Sequence, residues 1–270
     1  MKIVRFAAQG RTRYGIVAGG GLIEGLRRSP FVGFGGREYE TDLGGATFNL
    51  DEVRLLAPCR PSKIVCLGLN YRSHAEETGL PIPETPLIFL KPSTAVVGPE
   101  NSVVLPRDTR RVDYEGELGV VIGRKARAVP QDRAFDYVLG YTCFNDVSER
   151  YAQKHDGQWT RAKGYDTFAP TGPCIETELN PGDVQVETRL NGELRQYAST
   201  RDLIFGVPEL VSFISGVMTL LPGDVIATGT PSGIGRMNTG DVVEVTIEGI
   251  GTLRNVVVDH GTAVGGKASR

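Results

Sequence analysis

The stretch Val112-Asp-Tyr-Glu-Gly-Glu-Leu-Gly-Val-Val-Ile-Gly123 carries more structural information than any other part of the chain. Successive side chains of a strand point to opposite faces, so Glu115 and Glu117, two residues apart, project from one face with carboxylates close enough to share a ligand. Two like charges so placed call for a cation. A solvated strand edge is the plainer account of any Glu-x-Glu, but Glu117 leads straight into the apolar run 118–122, which sets the pair at the mouth of a buried strand. A third carboxylate stands where Tyr141-Thr-Cys-Phe-Asn-Asp146 closes another apolar strand. Asp146 would either complete a three-oxygen cluster or cap a short helix starting at Val147. With no Cys or His beside these acids, the set suits a hard ion that keeps several waters, Mg²⁺ or Mn²⁺ rather than Zn²⁺.

A second block precedes it, Leu67-Gly-Leu-Asn-Tyr-Arg-Ser-His-Ala-Glu-Glu-Thr-Gly-Leu-Pro-Ile-Pro83. His74 and Glu77, three residues apart, share one face of a short helix, where the carboxylate can orient the imidazole and hold it as a base. An ordinary surface ion pair is the alternative. Gly79, Pro81, Pro83 and Pro86 then suggest a mobile loop. Downstream lie Lys163, in Arg161-Ala-Lys-Gly-Tyr-Asp-Thr-Phe168, and the turn Thr228-Gly-Thr-Pro-Ser-Gly-Ile-Gly235. Backbone amides and Thr230 in that turn could bond an anionic substrate, or the glycines could merely reverse the chain.

Around these blocks the chain alternates apolar and polar positions. Residues 1–56 do so about tight turns (Ile3-Val-Arg-Phe6, Tyr14-Gly-Ile-Val17, Gly20-Gly-Leu-Ile-Glu24), as a small β domain would. The linker Ala57-Pro-Cys-Arg-Pro-Ser62 marks a boundary. A larger domain over 60–258 follows, with strand-like runs at 86–90, 117–123, 137–145, 184–190, 224–228, 242–247 and 252–258, and 259–270 forms a tail. One long helix is expected over 208–220, with Leu210, Phe213, Ile214, Val217 and Leu221 as the stripe that packs on a sheet. Pro181-Gly-Asp-Val184, Pro222-Gly-Asp-Val225 and Thr239-Gly-Asp-Val242 repeat a turn-then-strand signature whose glycine is expected at positive φ. Glycine supplies 35 of 270 residues, well above the usual ~7%, as many short turns require.

Composition removes several function classes. Thirty basic against 32 acidic residues, a net charge of −2, leave no basic excess to neutralise phosphates, so no nucleic-acid partner is expected. Apolar stretches fall short of the roughly 18 residues that cross a bilayer, and the first residues lack a secretory h-region, so the mature protein is expected to start at Met1. Four cysteines without C-x-x-C spacing read as reduced, buried residues of a cytoplasmic protein. Gly261-Thr-Ala-Val-Gly-Gly-Lys267 has P-loop spacing but lacks the following Ser/Thr and helix. No G-x-S-x-G elbow or dinucleotide fingerprint occurs.

In order, the segments Asn70-Tyr-Arg-Ser-His74 with Glu77, Phe89-Leu-Lys-Pro92, Asp113-Tyr-Glu-Gly-Glu117, Asn145-Asp-Val-Ser148 with Arg150 and Gln153, Lys163-Gly and Thr228-Gly-Thr-Pro231 resemble the fumarylacetoacetate hydrolase superfamily over residues 60–258. The N-terminal 56 residues resemble the small extra domain of a bacterial branch labelled 2-hydroxyhepta-2,4-diene-1,7-dioate isomerase. The resemblance implies an α+β, β-rich chain, a mixed β-sandwich roll with a small N-terminal β domain, assembled as a homodimer. It makes Glu115, Glu117 and Asp146 the metal ligands, usually for Mg²⁺ with Mn²⁺ as the alternative. It makes His74 and Glu77 an acid/base dyad on a lid, Lys163 the lysine beside the metal, and Arg150, Gln153 and Thr230 the substrate contacts. Tyr151 departs from the acidic residue the family often has after the arginine, which bears on the substrate and leaves the metal set intact. The implied substrate is a small 2-oxo or 2-hydroxydienoic diacid, held by the metal as its enolate forms. Activated water would give acylpyruvate-type C–C hydrolysis, proton movement alone isomerisation, and loss of CO₂ oxaloacetate decarboxylation. A reading of another class, a non-catalytic β-rich binding protein stabilised by a structural ion, would leave His74, Lys163 and Arg150 without a task.

Overall fold

The computed structural model describes residues 1–32 and 43–261; the P-loop-like segment and most of the expected tail lie outside them. The chain opens with strands β1 (Lys2–Ala8), β2 (Arg11–Val17), β3 (Leu22–Leu26), β4 (Leu43–Asn49) and β5 (Arg54–Leu56). β1 and β2 join through a two-residue turn in which Gln9 and Gly10 both take positive φ, 51° and 71°, the turn whose twist matches that of the strands.

After the linker come β6 (Lys63–Leu67), α1 (Arg72–Thr78), β7 (Ile88–Pro92), β8 (Val96–Val97), β9 (Val103–Leu105), β10 (Val112–Tyr114) and β11 (Gly116–Ile122). Then follow β12 (Val138–Asn145), β13 (Ser148–Glu149), α2 (Arg150–His155), α3 (Thr160–Lys163), β14 (Ala169–Glu176), β15 (Gln185–Leu190) and β16 (Glu193–Ser199). The last elements are α4 (Val207–Val217), β17 (Val225–Ala227), β18 (Gly235–Arg236), β19 (Val242–Ile247) and β20 (Gly251–Asp259). This is the β-rich α+β class expected from the sequence.

The main sheet has the order β4-β3-β2-β1-β14-β12-β11-β17-β6-β7, with β5 added on β1 and β8 on β14. Two smaller sheets run β13-β10-β18 and β16-β15-β19-β20-β9. β11 sits deep in the main sheet, antiparallel to both neighbours, and all seven of its residues are buried. Its alternation serves two cores. Leu118, Val120 and Ile122 join the cluster of Val65, Ile226 and the α4 residues Leu210, Val211 and Ile214, while Val121 joins Ile64, Ile175 and Val225. Each such side chain contributes about 1.5–3 kcal/mol by leaving water, so the strand is anchored from both faces.

Two local expectations need correction. The buried face of α4 runs through Leu210, Val211 and Ile214, whereas Val217 and Leu221 are exposed, because the helix ends at Val217 and the chain turns away before Leu221. Among the Pro/Thr-Gly-Asp turns, Gly223 and Gly240 take φ of 89° and 93°, but Gly182 does not occur at positive φ. There Asn180 Oδ1 accepts the Gly182 N–H at 3.1 Å, and the side chain makes the turn in place of the glycine.

Candidate active site

The antiparallel register Gly116↔Asn145 sets the start of β11 beside the end of β12. One further bond, from the Asp146 N–H to the Glu115 carbonyl at 2.9 Å, carries the pairing past both strand ends. The Asn145 side-chain oxygen accepts the Glu115 N–H at 2.9 Å and fixes Glu115 in the break between β10 and β11. As a result, carboxylate oxygens of Glu115, Glu117 and Asp146 lie within 4.8 Å of one another, all three residues buried. The reading of Asp146 as a helix cap does not hold. Val147 leads into β13, and α2 is capped by Glu149, whose carboxylate accepts the Tyr151 and Ala152 N–H groups.

Glu117 shows what this cluster lacks. Its Oε2 accepts the Gly229 N–H at 2.9 Å, while its Oε1 is buried with no hydrogen-bond partner. Burial, reinforced by the charges of Asp146 and Glu115, pushes the Glu117 carboxyl well above the ordinary range. An orphaned carboxylate oxygen facing two more carboxylates, all of them hard donors, fits a divalent cation.

Three cations hold the other oxygens. Lys163 Nζ donates to Glu115 Oε2 at 2.8 Å and to Asp146 Oδ2 at 2.7 Å. Burial works against its charge, but Asp146 and Glu115 outweigh that and hold its pKa above the usual lysine value. Lys91, wholly buried on β7, donates to Asp146 Oδ1 and, at 2.9 Å, to the Val147 carbonyl. Burial draws its pKa below the usual value even with Asp146 alongside. Arg150 spans Asp113, Glu115 and Gln153 with separate nitrogens. At Glu115, burial would raise the pKa, but Arg150 and Lys163 reverse the sign and hold it below the carboxylate range. Asp113, also fully buried, carries Arg111 on its other side, with bonds of 2.9 and 3.0 Å.

The helix α1 supplies the dyad. It ends where Gly79 turns left-handed at φ 66° and the Leu80 N–H reaches back to the Ala75 carbonyl, a glycine stop that fixes where the last turn points. His74 Nδ1 and Glu77 Oε2 are 3.0 Å apart, and Glu77 Oε1 accepts the Gly233 N–H at 2.9 Å, so the dyad is tied to the turn after β17. A cavity of about 640 Å³ opens on part of this arrangement, with Glu77, Lys91, Glu117 and Asp146 behind its lining. His74, Glu115, Arg150, Gln153 and Lys163 line it, and Leu69, Leu80, Trp159 and Ile234 supply its apolar walls.

Thr230 does not line the cavity: it is 3% exposed, its hydroxyl donating to the carbonyl of Gly116, between Glu115 and Glu117, and accepting from Gln196 Nε2. Three residues that sequence reasoning assigned no role also belong to the site. Lys91 and Asp113 stood inside the diagnostic segments, but a buried lysine in a strand looks in sequence like a snorkelling one. Arg111, beside the cavity, gave no signal beyond its place before Val112-Asp113.

Comparison with known proteins agrees with this geometry. The family model described as fumarylacetoacetate (FAA) hydrolase C-terminal matches residues 63–258, and that described as Rv2993c-like, N-terminal matches residues 1–58. The structure of a 5-carboxymethyl-2-hydroxymuconate delta-isomerase from Mycobacterium smegmatis superimposes with a TM-score of 0.88 at 45% identity, covering 96% of this chain and 100% of that one. The oxaloacetate tautomerase YisK of Bacillus subtilis is 44% identical over 231 residues, 80% of this chain and 77% of its own. A maleylpyruvate hydrolase from Sphingobium sp. SYK-6, solved with manganese(II) and pyruvate, gives a TM-score of 0.79 at 33% identity, over 96% of this chain and 99% of that one. Proteins named for isomerisation, tautomerisation and hydrolysis thus share one scaffold with this chain, which belongs to the fumarylacetoacetate hydrolase superfamily.

Proposed function

We propose that this chain is a Mg²⁺-dependent enzyme acting on small 2-oxo diacids, with acylpyruvate-type C–C hydrolysis as its reaction. The observation that carries the reading is the buried, unpartnered Oε1 of Glu117 beside Glu115 and Asp146, in a cluster whose Glu115 lines the same cavity as His74, the imidazole that Glu77 holds. Glu115, Glu117 and Asp146 would hold the cation, which when bound supplies a Lewis acid for the carboxylate and keto oxygens of a 2-oxo acid. Lys163 spends two of its three N–H groups on Glu115 and Asp146, leaving one for an oxygen that gains charge as a C–C bond breaks. Gln153 gives its carbonyl to Arg150 and keeps its amide N–H groups for substrate. Glu77 holds His74 through Nδ1, so Nε2 is the nitrogen that takes a proton from water. Trp159 and Leu80 give the same space an apolar wall. Arg111 and Lys154, two cations on the cavity wall, suit the second carboxylate of a diacid.

A second reading rests on the tautomerase relative: the same dyad moving a proton between carbon and oxygen, with no water added, tautomerises oxaloacetate or shifts a double bond. Product analysis by NMR separates the two. The protein is incubated with acetylpyruvate, oxaloacetate and a 2-hydroxydienedioate, each with Mg²⁺ and with EDTA. Metal-dependent pyruvate and acetate support hydrolysis; an altered keto–enol ratio or double bond supports proton transfer; pyruvate and CO₂ from oxaloacetate would point to decarboxylation. Full activity in Glu115→Gln would overturn all three. No turnover, with melting still lowered by EDTA, favours the structural-ion reading. The proposal takes the enzyme as a cytoplasmic homodimer, the assembly being checked by light scattering.

A further inference from the structure

A second cavity, about 850 Å³, opens where β1 and β5 meet the segment that follows β7. Arg5 of β1, Arg60 of the linker, Ser93, Thr94 and Asn101 line it, and its wall holds no aspartate or glutamate. That contrasts with the candidate active site, where Arg111 and Arg150 are matched by Asp113 and Glu115. Arg5 makes a single long hydrogen bond to the Ala57 carbonyl at 3.3 Å, and neither arginine has a carboxylate partner among the described residues. Burial lowers the pKa of the half-buried Arg5; Tyr14 works against that, and the charge of Arg60 adds to it. The remaining polar groups are donors as well. Asn101 Oδ1 already accepts the Gly98 N–H, which leaves its amide N–H groups to face a ligand, and Ser93 and Thr94 bring hydroxyls. Leu56, Val96 and Val97 complete an apolar side.

We propose that this cavity binds a small organic phosphate, with Arg5 and Arg60 taking its charge and Leu56, Val96 and Val97 covering its carbon body. Donors arrive from four separate segments, β1, the linker, the turn after β7 and the stretch between β8 and β9, so more than one side chain can meet the same charged group. A tetrahedral group with three charged oxygens uses that arrangement, whereas a planar carboxylate is served by one bidentate guanidinium. The volume also exceeds what an inorganic phosphate fills, and the apolar side would otherwise face water.

Calorimetry and thermal melting of the full-length, metal-loaded protein test this at constant ionic strength, with inorganic phosphate, glucose 6-phosphate, glucose and citrate as probes. Glucose 6-phosphate should bind and raise the melting temperature, inorganic phosphate should bind more weakly, and glucose should do neither. Arg60→Gln, at an exposed position, should weaken glucose 6-phosphate at least about tenfold, the effect of losing one charge-assisted contact; Arg60→Lys should retain part of it. Arg111→Gln in the other cavity should leave glucose 6-phosphate binding as it is in the parent. Absence of binding at millimolar phosphate ester, equal affinity for citrate, or a loss that follows Arg111→Gln instead of Arg60→Gln would overturn the assignment.

Discussion

A carboxyl whose folded-state pKa is raised binds its proton more tightly folded than unfolded, and Glu117 is in that position through burial and through Asp146 and Glu115. Its contribution to stability is therefore fully present below the ordinary carboxylate pKa of about 4.3 and is lost as pH rises towards the raised value, at about 1.4 kcal/mol per pH unit. Glu115 has the opposite sign: its lowered pKa gives stability above the ordinary value that is lost in acid. In EDTA, Glu117→Gln should thus melt higher than the parent at pH 8, by about 2–4 °C for each kcal/mol recovered, and the gain should vanish near pH 4. Mg²⁺ should raise the parent and leave the variant unmoved. A variant that melts below the parent at pH 8 in EDTA would show that Glu117 is not a strained anion. On the cavity wall the charge is arranged for binding. Arg111 keeps N–H groups beyond the two it gives Asp113, and its side chain is half exposed. Arg111→Gln should raise KM for a diacid about tenfold with kcat little changed, and leave KM for the monoacid acetylpyruvate alone; equal effects on both acids would remove Arg111 from recognition of the second carboxylate.

The turn after β17 joins three elements at one glycine. Gly229 takes φ of 97°, a Cβ there would stand 2.8 Å from that of Asn70, and its N–H is the bond that holds Glu117 Oε2. Asn70, wholly buried, in turn bonds the Thr228 carbonyl and both backbone groups of Phe205 just before α4. Gly229→Ala should cost about 1–3 kcal/mol through backbone strain, and weaken divalent metal about 10- to 100-fold by moving the group behind a ligand. Gly240→Ala is the control: φ is 93° but the space is open and remote from Glu117, so stability should fall while metal affinity stays. Loss of metal affinity in both variants would mean that strain anywhere loosens the site. None of this linkage was legible in sequence, where 228–235 read either as amides that could bond a substrate or as glycines that merely reverse the chain; the Gly229 and Gly233 amides are spent on Glu117 and Glu77. What could be read were features with a local period: the strand β19, whose observed bounds match those expected, and the Glu-x-Glu pair. Strands that violate local rules stayed hidden. β14 carries Pro170, Gly172 and Pro173 in its interior, and β16 is an edge strand whose Glu193 and Arg195 resemble a loop.

The two family models divide the chain near residue 60, yet its sheet does not divide there. β1 pairs with β14 through Lys2↔Glu176 and Ile3↔Ile175, and the Met1 ammonium meets Glu176 at 2.7 Å. Ile3 shares a core with Ile64, Cys66 and Ile175, while Val4 and Phe6 share the other with Leu118 and Val120. Removing the first five strands would therefore open both cores and leave β14 with an unpaired edge segment, at a cost of several buried apolar side chains worth about 2–5 kcal/mol each. A cost of that size argues that the N-terminal strands and the body unfold together. Two probes decide it. Trp159, the single tryptophan, packs edge-on against Phe89 within the body, and Cys59 packs with Ile3 at the junction. All four thiols are buried, and burial pushes Cys59 up to about 12, so alkylation at pH 8 requires opening of the structure. Across a urea titration, labelling of Cys59 and of Cys143 in β12, located by mass spectrometry, should rise with one midpoint that coincides with the loss of native Trp159 fluorescence. Labelling of Cys59 at lower urea, while Cys143 stays protected and the fluorescence native, would show that the N-terminal strands leave as a unit of their own, and that the β1–β14 pairing is too weak to couple them.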